Sequence, residues 1–305
     1  MISVCIPVFN FDMTALEEAL SRQLKELSVP GELIFIDDSS FDIYREVNGP
    51  VLKNHRYLEL EKNVGRSRIR NKFPELASHE YLLFLDCDSE IVSERFLQDY
   101  VDAVQERKPR VICGGRVYPE SRPCRRQRLR WNYGRKRESL PAEVRAQYPA
   151  RSFMSNNFLV HREVFSTVRF DERIVQYGHE DTLFGFMLAQ KGIPVVHLEN
   201  PVRNGDVESN REFLMKSEKA VRNLPLILDL VDDPDAFTEQ VSLLAAYRKL
   251  KDRGLTGLVR FSFSLSSPLV KALLLSGMAG MGLFSYYKLG ILLRSFRDRY
   301  KGSDQ

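Results

Sequence analysis

The feature that most constrains this chain is a regular alternation, over its first 118 residues, of short apolar runs with helix-patterned segments. Ile2–Val8 reads as a strand rich in β-branched residues. Residues 13–27 carry Leu16, Leu20, Leu24 and Leu27 on one helical face, with Thr14 and Glu17 spaced as a capping box. Leu33–Ile36 is a second strand and Arg56–Leu60 a third. A helix then opens at Gly65 and runs to about residue 77, with a kink or break expected near Pro74. Tyr81–Leu85 is a strongly apolar strand, residues 94–107 a helix, and Arg110–Cys113 a further strand. Strands separated by helices imply a mostly parallel sheet with helices on both faces. In such sheets ligands gather beyond the carboxyl ends of the strands. Asn10, Asp37-Asp38 and Asp86-Cys87-Asp88 all fall at predicted strand ends.

These polar segments set the candidate chemistry. Asp86 and Asp88 stand at i and i+2 directly after an apolar strand, so both carboxylates can serve one loop. Oxygen donors of this kind suit Mg²⁺ or Mn²⁺, which bridge phosphate oxygens and stabilise a departing diphosphate. Asp37-Asp38 can accept hydrogen bonds from a base or a ribose, although taken singly Asp-Asp-Ser-Ser is better read as a turn or an N-cap. The run Asn63 through Asn71 opens a helix, whose N-terminus favours anions. Arg66 and Arg70, four apart, share one of its faces. Glu180-Asp181 begins a later helix, where acids complement the helix dipole. One of these carboxylates can also deprotonate an incoming hydroxyl. His179 is an alternative base, and His197 ends a short strand.

Taken in order, these segments make the chain resemble the family-2 glycosyltransferases. The matching pieces are Val4 through Asn10, Ile36 through Ser40, Asn63 through Asn71, Phe84 through Asp88, Ser155-Asn156-Asn157 and Gly178-His179-Glu180-Asp181. The resemblance covers roughly residues 1–200 and implies a GT-A fold: a Rossmann-like, mostly parallel α/β sheet flanked by helices, extended here by a helical C-terminal region. It implies an inverting enzyme that uses a nucleotide-sugar, a UDP-sugar before a GDP-sugar, and a divalent metal, Mn or Mg. By the same resemblance Pro7, Asn10, Asp37, Asp38, Arg70 and Asp86 serve the nucleotide, and Asp88 and Asp86 hold the metal with His197 as a third ligand. Asp181 is the general base, with Glu180 beside it in the acceptor site. Ile69 departs from the small residue usual before the family's arginine.

The rest of the chain bears on location and partners. Residues 116–137 hold nine basic side chains and one acid, Glu120, against a net charge of only +4 for the whole chain, so this stretch suits a solvated face or a phosphate-bearing partner. Cys5, Cys87, Cys113 and Cys124 have no metal-ligand spacing and fit a reducing compartment. Residues 1–9 show no signal-peptide pattern. Helices are expected near 180–191, 209–230 and 234–252, and an apolar stretch over 269–293 has Lys271 and Lys288 near its ends. That stretch is short of the roughly 20 uncharged residues of a span, and a basic tail (Arg294, Arg297, Arg299, Lys301) follows it. The expectation is therefore a catalytic domain over 1–205 and a helical region over 206–305, peripheral on the inner face of the cell membrane. The acceptor is expected to be a glycan or a lipid-linked molecule in cell-surface polysaccharide or glycolipid synthesis, with no nucleic-acid partner. Two rivals stand beside this reading. A sugar nucleotidyltransferase lacks support because the loop Pro7 through Asp12 has no glycine. A non-catalytic membrane-binding module has no chemical need for Asp38, Asp86, Asp88 and Asp181 together.

Overall fold

The computed structural model describes residues 1–205 and 207–302, with side chains to residue 299. In chain order the elements are β1 (Ile2–Val8), α1 (Thr14–Glu26), β2 (Gly31–Asp37), α2 (Asp42–Leu52), β3 (Arg56–Glu59), α3 (Arg66–Leu76), β4 (Tyr81–Leu85), β5 (Ser89–Ile91), α4 (Phe96–Arg107), β6 (Val111–Cys113) and β7 (Arg116–Val117). Then come α5 (Arg128–Tyr133), α6 (Ala142–Ala146), β8 (Asn157–His161), α7 (Val164–Thr167), α8 (Glu180–Gln190), β9 (Val195–His197) and β10 (Val202–Asn204). The remainder is helical: α9 (Asn210–Ile227), α10 (Pro234–Gln240), α11 (Ser242–Asp252), α12 (Thr256–Leu275) and α13 (Met281–Gly302).

The chain divides into two compact units. The first spans 1–119, 137–175 and 181–206; the second spans 120–136, 176–180 and 207–305. The first is built on a seven-stranded sheet of order β3-β2-β1-β4-β8-β6-β9. β1 pairs in parallel with β2 and β4, whereas β8 runs antiparallel to β4 and β6. One apolar layer gathers Cys5, Ile34, Ile36, Phe73, Phe84 and Phe158, and the opposite layer gathers Val4, Ile6, Leu20, Phe35, Leu83 and Tyr100. Alternate residues of β1 and β2 thus face opposite layers, which is why these strands are apolar throughout. A second sheet, of order β5-β10-β7, was not foreseen, because two- and three-residue strands leave no period to read.

Local reasons separate the predicted elements from the observed ones. The Thr14–Glu17 capping box does not form; Asp12 Oδ1 instead accepts from Thr14 N at 2.9 Å and Thr14 Oγ1 at 2.6 Å. Helix α2, unmarked in the sequence reading, contains Pro50 and Gly49, two residues that hide a helical period. Pro74 lies inside α3 without ending it. The expected helix over 234–252 is two, broken at Val241.

The second unit packs α9, α11, α12 and α13 on one another, with α5 against α9. Helix α9 starts with a full capping box between Ser209 and Glu212. The apolar stretch expected over 269–293 is interrupted by residues 276–280, where Gly277 has φ +72°. The long exposed helix is α12, thirteen residues earlier than expected, and it is the helix among the described residues long and apolar enough to cross a membrane. Lys271 pairs with Glu218 at 2.9 Å, and Lys288 lies over the rings of Tyr133 and Phe284. Both lysines thus have partners inside this unit. The side chain of Lys301 lies outside the described residues.

Candidate active site

Strand order brings three of the predicted segments side by side. β2, β1 and β4 are neighbours, so Asp37-Asp38, Pro7 to Asn10 and Asp86 to Asp88 lie at the carboxyl ends of adjacent parallel strands. Asn10 takes a left-handed conformation, φ 51°, in which its N–H donates to Ser40 Oγ and its Oδ1 accepts from Phe41 N, both at 2.8 Å. Pro7 sits within β1 opposite Ile36. Asp37 is fully buried and accepts from Ser40 N at 2.6 Å through Oδ1, while its Oδ2 has no hydrogen-bond partner. Asp37 therefore shapes the turn that presents Asp38.

Asp38 holds the loop before α3. Its carboxylate accepts from Val64 N at 2.6 Å and Gly65 N at 3.0 Å, and its carbonyl accepts from Asn63 Nδ2 at 3.1 Å. Desolvation raises its pKa, the Val64 and Gly65 amides oppose the shift, and Asp37 adds to it. A carboxylate has about four lone-pair directions, so two amides leave capacity for a ligand N–H.

Arg70 is a buried strut. Its Nη2 donates to Asp86 Oδ1 at 2.8 Å, and its guanidinium lies 5.5 Å from the Phe170 ring centroid. Asn71 beside it clasps the Phe170 backbone through both side-chain atoms. The arginine thus orients Asp86. Asp88 differs from its neighbour: among the described residues no cationic side chain comes within 4.0 Å of it. Its carboxyl is held above the usual range, chiefly by desolvation and then by the Asp86 carboxylate, against the opposing charges of Arg116 and Arg66.

A divalent cation would relieve this. Two hard oxygen donors, one of them poor in counter-charge, fit Mg²⁺ or Mn²⁺ with further oxygens supplied by phosphate and water. Among the described residues no cluster of three or more His, Cys, Asp or Glu surrounds a common point. His197, expected as a third ligand, has hydrogen-bonding neighbours at both ring nitrogens. Its Nδ1 accepts from Arg145 Nη1 at 2.8 Å, and its Nε2 faces the Pro149 carbonyl at 3.0 Å. An arginine can only donate, so Nδ1 is the acceptor and Nε2 carries the proton. In this geometry both ring nitrogens are engaged within the protein.

Asp181 lies in the first turn of α8 and accepts from Thr182 N at 2.7 Å through Oδ1. Glu180 is buried, and its Oε2 accepts from Gly178 N at 3.1 Å. His179 takes a left-handed conformation, φ 70°. Its pKa falls to about 4, driven by desolvation, with Glu180 opposing and Lys288 assisting. It is neutral at physiological pH.

Further residues near these strand ends had no individual role assigned from the sequence. Arg116 on β7 places Nη2 3.9 Å from Asp86 Oδ2 and Nη1 3.9 Å from Glu138 Oε2. Glu138 also accepts a hydrogen bond from Tyr118 Oη. Arg145 is buried and bonds the carbonyls of Cys113, Gly114, Leu140 and Leu198. Asn157 ties the Gly115 and Asn200 carbonyls to Tyr100 Oη. The signal for this cluster was Gly114-Gly115 after β6: a Cβ on Gly114 would stand 2.1 Å from Tyr100 Oη, and one on Gly115 2.7 Å from Arg145 Nη2.

Comparisons with known proteins agree with this architecture. Among solved structures, the mannosyltransferase PcManGT from Pyrobaculum calidifontis, solved with GDP-Man and Mn²⁺, superposes at TM-score 0.56 with 11% identity over 100% of this chain and 88% of its own. S. aureus TarS 1-349 gives 0.52 with 16% identity, over 99% and 91%. Glucosyl-3-phosphoglycerate synthase from Mycobacterium tuberculosis, solved with Mn²⁺, UDP and glucosyl-3-phosphoglycerate, gives 0.51 with 16% identity, over 73% and 78%. At these identities the likeness establishes the GT-A fold. A comparison with curated protein sequences found no match. The sequence model of Glycosyl transferase family 2 matches residues 3–169, more than half of the chain, and the chain therefore belongs to that family of glycosyltransferases.

Proposed function

We propose that this glycosyltransferase is inverting and moves a sugar from a nucleotide-sugar, a UDP-sugar by preference, to a hydroxyl of a glycan or lipid-linked acceptor in cell-surface polysaccharide or glycolipid synthesis. The observation that carries this reading is the row of Asn10, Asp38 and Asp86-x-Asp88 beyond three adjacent parallel strands, with Arg70 orienting Asp86. Asp38 accepts from the base, and Pro7, Asn10 and Asp37 shape the loop beside it. Asp86 meets the ribose and, with Asp88, holds Mn²⁺ or Mg²⁺. The cation, when bound, neutralises charge on the departing diphosphate. Asp181 takes the proton from the acceptor hydroxyl as its oxygen bonds to the anomeric carbon. The bond from that carbon to the diphosphate oxygen breaks on the opposite face, which inverts the configuration. Glu180 stands next to the base in sequence and shapes the acceptor side. Calorimetry with UDP and GDP, with and without Mn²⁺, tests the donor half. Metal-dependent binding that Asp88→Ala abolishes is expected; a wild type that binds neither nucleotide in Mn²⁺ rejects the site.

The same proposal puts the enzyme on the cytoplasmic face of a membrane, attached through α12. Leu258, Phe261, Leu265 and Leu269 form an exposed stripe at three- and four-residue spacing. Asn210 Nδ2 bonds both the Leu275 carbonyl and the Arg125 carbonyl, which ties the end of α12 to the turn carrying exposed Arg125 and Arg126. An apolar stripe on a helix whose end is tied to a turn with exposed cations matches an anionic lipid surface. Sedimentation with phosphatidylglycerol vesicles is expected to pull the protein down and phosphatidylcholine vesicles to leave it in solution. Equal partition to both, or to neither, removes the attachment.

A further inference from the structure

Arg116 is an anomaly in the site. A guanidinium offers five N–H donors and is costly to bury without acceptors. The Arg116 side chain is only 13% exposed, yet it makes no hydrogen bond among the described residues. Its Nε is buried and unpartnered. Its two Nη atoms stop 3.9 Å from Asp86 Oδ2 and 3.9 Å from Glu138 Oε2, which is ion-pair range and beyond hydrogen-bond range. Arg70, by contrast, closes on the same Asp86 at 2.8 Å. One aspartate therefore has a close cationic partner on one oxygen and a distant one on the other. Glu138 Oε2, the oxygen nearest Arg116, also accepts from Tyr118 Oη. The backbone of Arg116 is held too, because β7 pairs with β10 and follows the close-packed Gly114-Gly115.

We infer that Arg116 is a phosphate-binding residue, its forked guanidinium kept apart from Asp86 and Glu138 so that it can close on a substrate phosphate. A planar guanidinium matches phosphate oxygens bidentately, and such charge-assisted bonds are the strong ones. A single divalent cation leaves net negative charge on a nucleoside diphosphate, and Arg116 meets that remainder beside the carboxylates that hold the cation. The inference rests on the donor-site reading above. Its ligand is the terminal phosphate of the donor's diphosphate or a phosphate carried by the acceptor.

The test is calorimetry in Mn²⁺ on wild type, Arg116→Gln and Arg116→Lys. The first arm uses whichever of UDP and GDP the wild type binds, together with the matching monophosphate. The second titrates inorganic phosphate into protein saturated with that diphosphate. Arg116→Gln is expected to weaken the diphosphate about 10- to 100-fold and the monophosphate hardly at all, with Arg116→Lys in between. Retained monophosphate binding also shows that the variant is folded. If instead nucleotides bind unchanged and only inorganic phosphate is lost, the role stands with the acceptor phosphate as its ligand. Unchanged affinities in both arms overturn the assignment, as does an equal loss of diphosphate and monophosphate. A wild type that binds no nucleotide fails before any variant is made, which identifies the donor-site reading as the fault and takes this inference with it.

Discussion

The strand ends of the sheet unit and the surface of the helical unit handle exposure in opposite ways. At the strand ends the groups that frame the site are held by protein partners: Asp38 by two amides, Asp86 by Arg70, Asn10 by Ser40 and Phe41. On α12 four large apolar side chains, from Phe261 at 65% to Leu265 at 70% exposed, have been left in solvent. Preorganisation is the lesson of the first region. A site that must stabilise charge holds its dipoles and carboxylates in place before the ligand arrives. The second region is shaped by what it must still cover.

The contrast can be broken at five points. Asp181→Asn removes the proposed base and is expected to lower kcat by about 10²- to 10⁴-fold while nucleotide affinity stays put; a loss of affinity instead would move Asp181 into the donor site. Arg70→Ala leaves Asp86 without its buried partner and is expected to cost about 3 kcal/mol in urea unfolding, the low end for a broken buried pair because Asp86 keeps some solvent. A cost within 0.5 kcal/mol in that experiment would mean the strut is not structural.

His179 makes the helical unit pH-sensitive. Its folded pKa of about 4 lies below the ordinary 6.5, so the unfolded chain binds more protons between those values. Its contribution is intact above pH 6.5 and lost as the pH falls toward about 4. At about 1.36 kcal/mol per pH unit the effect is bounded near 3 kcal/mol. Unfolding of His179→Gln across that window should be flatter than wild type; parallel curves would remove the histidine from the account. Gly290→Ala probes helix packing, since a Cβ there would lie 2.2 Å from the Phe263 ring. Overpacking of this kind is expected to cost about 1–3 kcal/mol, read as a lowered midpoint in thermal unfolding. The smallest effect on folding is Leu265→Asp, which should change stability by no more than about 0.5 kcal/mol while abolishing sedimentation with phosphatidylglycerol vesicles. Retained sedimentation would point to a different attachment surface.

The sheet was readable because each of its long strands carries its own signal. Ile2–Val8 and Tyr81–Leu85 are apolar on both faces, and their observed bounds are the predicted ones. Helix α2 was hidden by Gly49 and Pro50, and the small β5-β10-β7 sheet by strands too short to show a period. The antiparallel turn of β8 was also invisible, since an apolar run such as Asn157–His161 carries no direction. In the site, Asp38, Asp86 and Asp88 stood out through position after strands, while Arg116 was one of nine basic residues in a stretch without pattern.

By itself, then, the sequence determined the strand-helix alternation, the acidic pairs at strand ends and the family, because those depend on residues near one another along the chain. Only the tertiary structure decided which arginine locks Asp86 and which stands off from it, and that the His197 lone pair is taken by Arg145. It also decided that the exposed apolar helix is α12 rather than the stretch after residue 276. Each of these turns on a contact between residues 16 to 52 positions apart or on which face of a helix meets its neighbours. Spacing along the chain carries no record of such distances, and a hydrogen bond or ion pair is decided within a few tenths of an ångström.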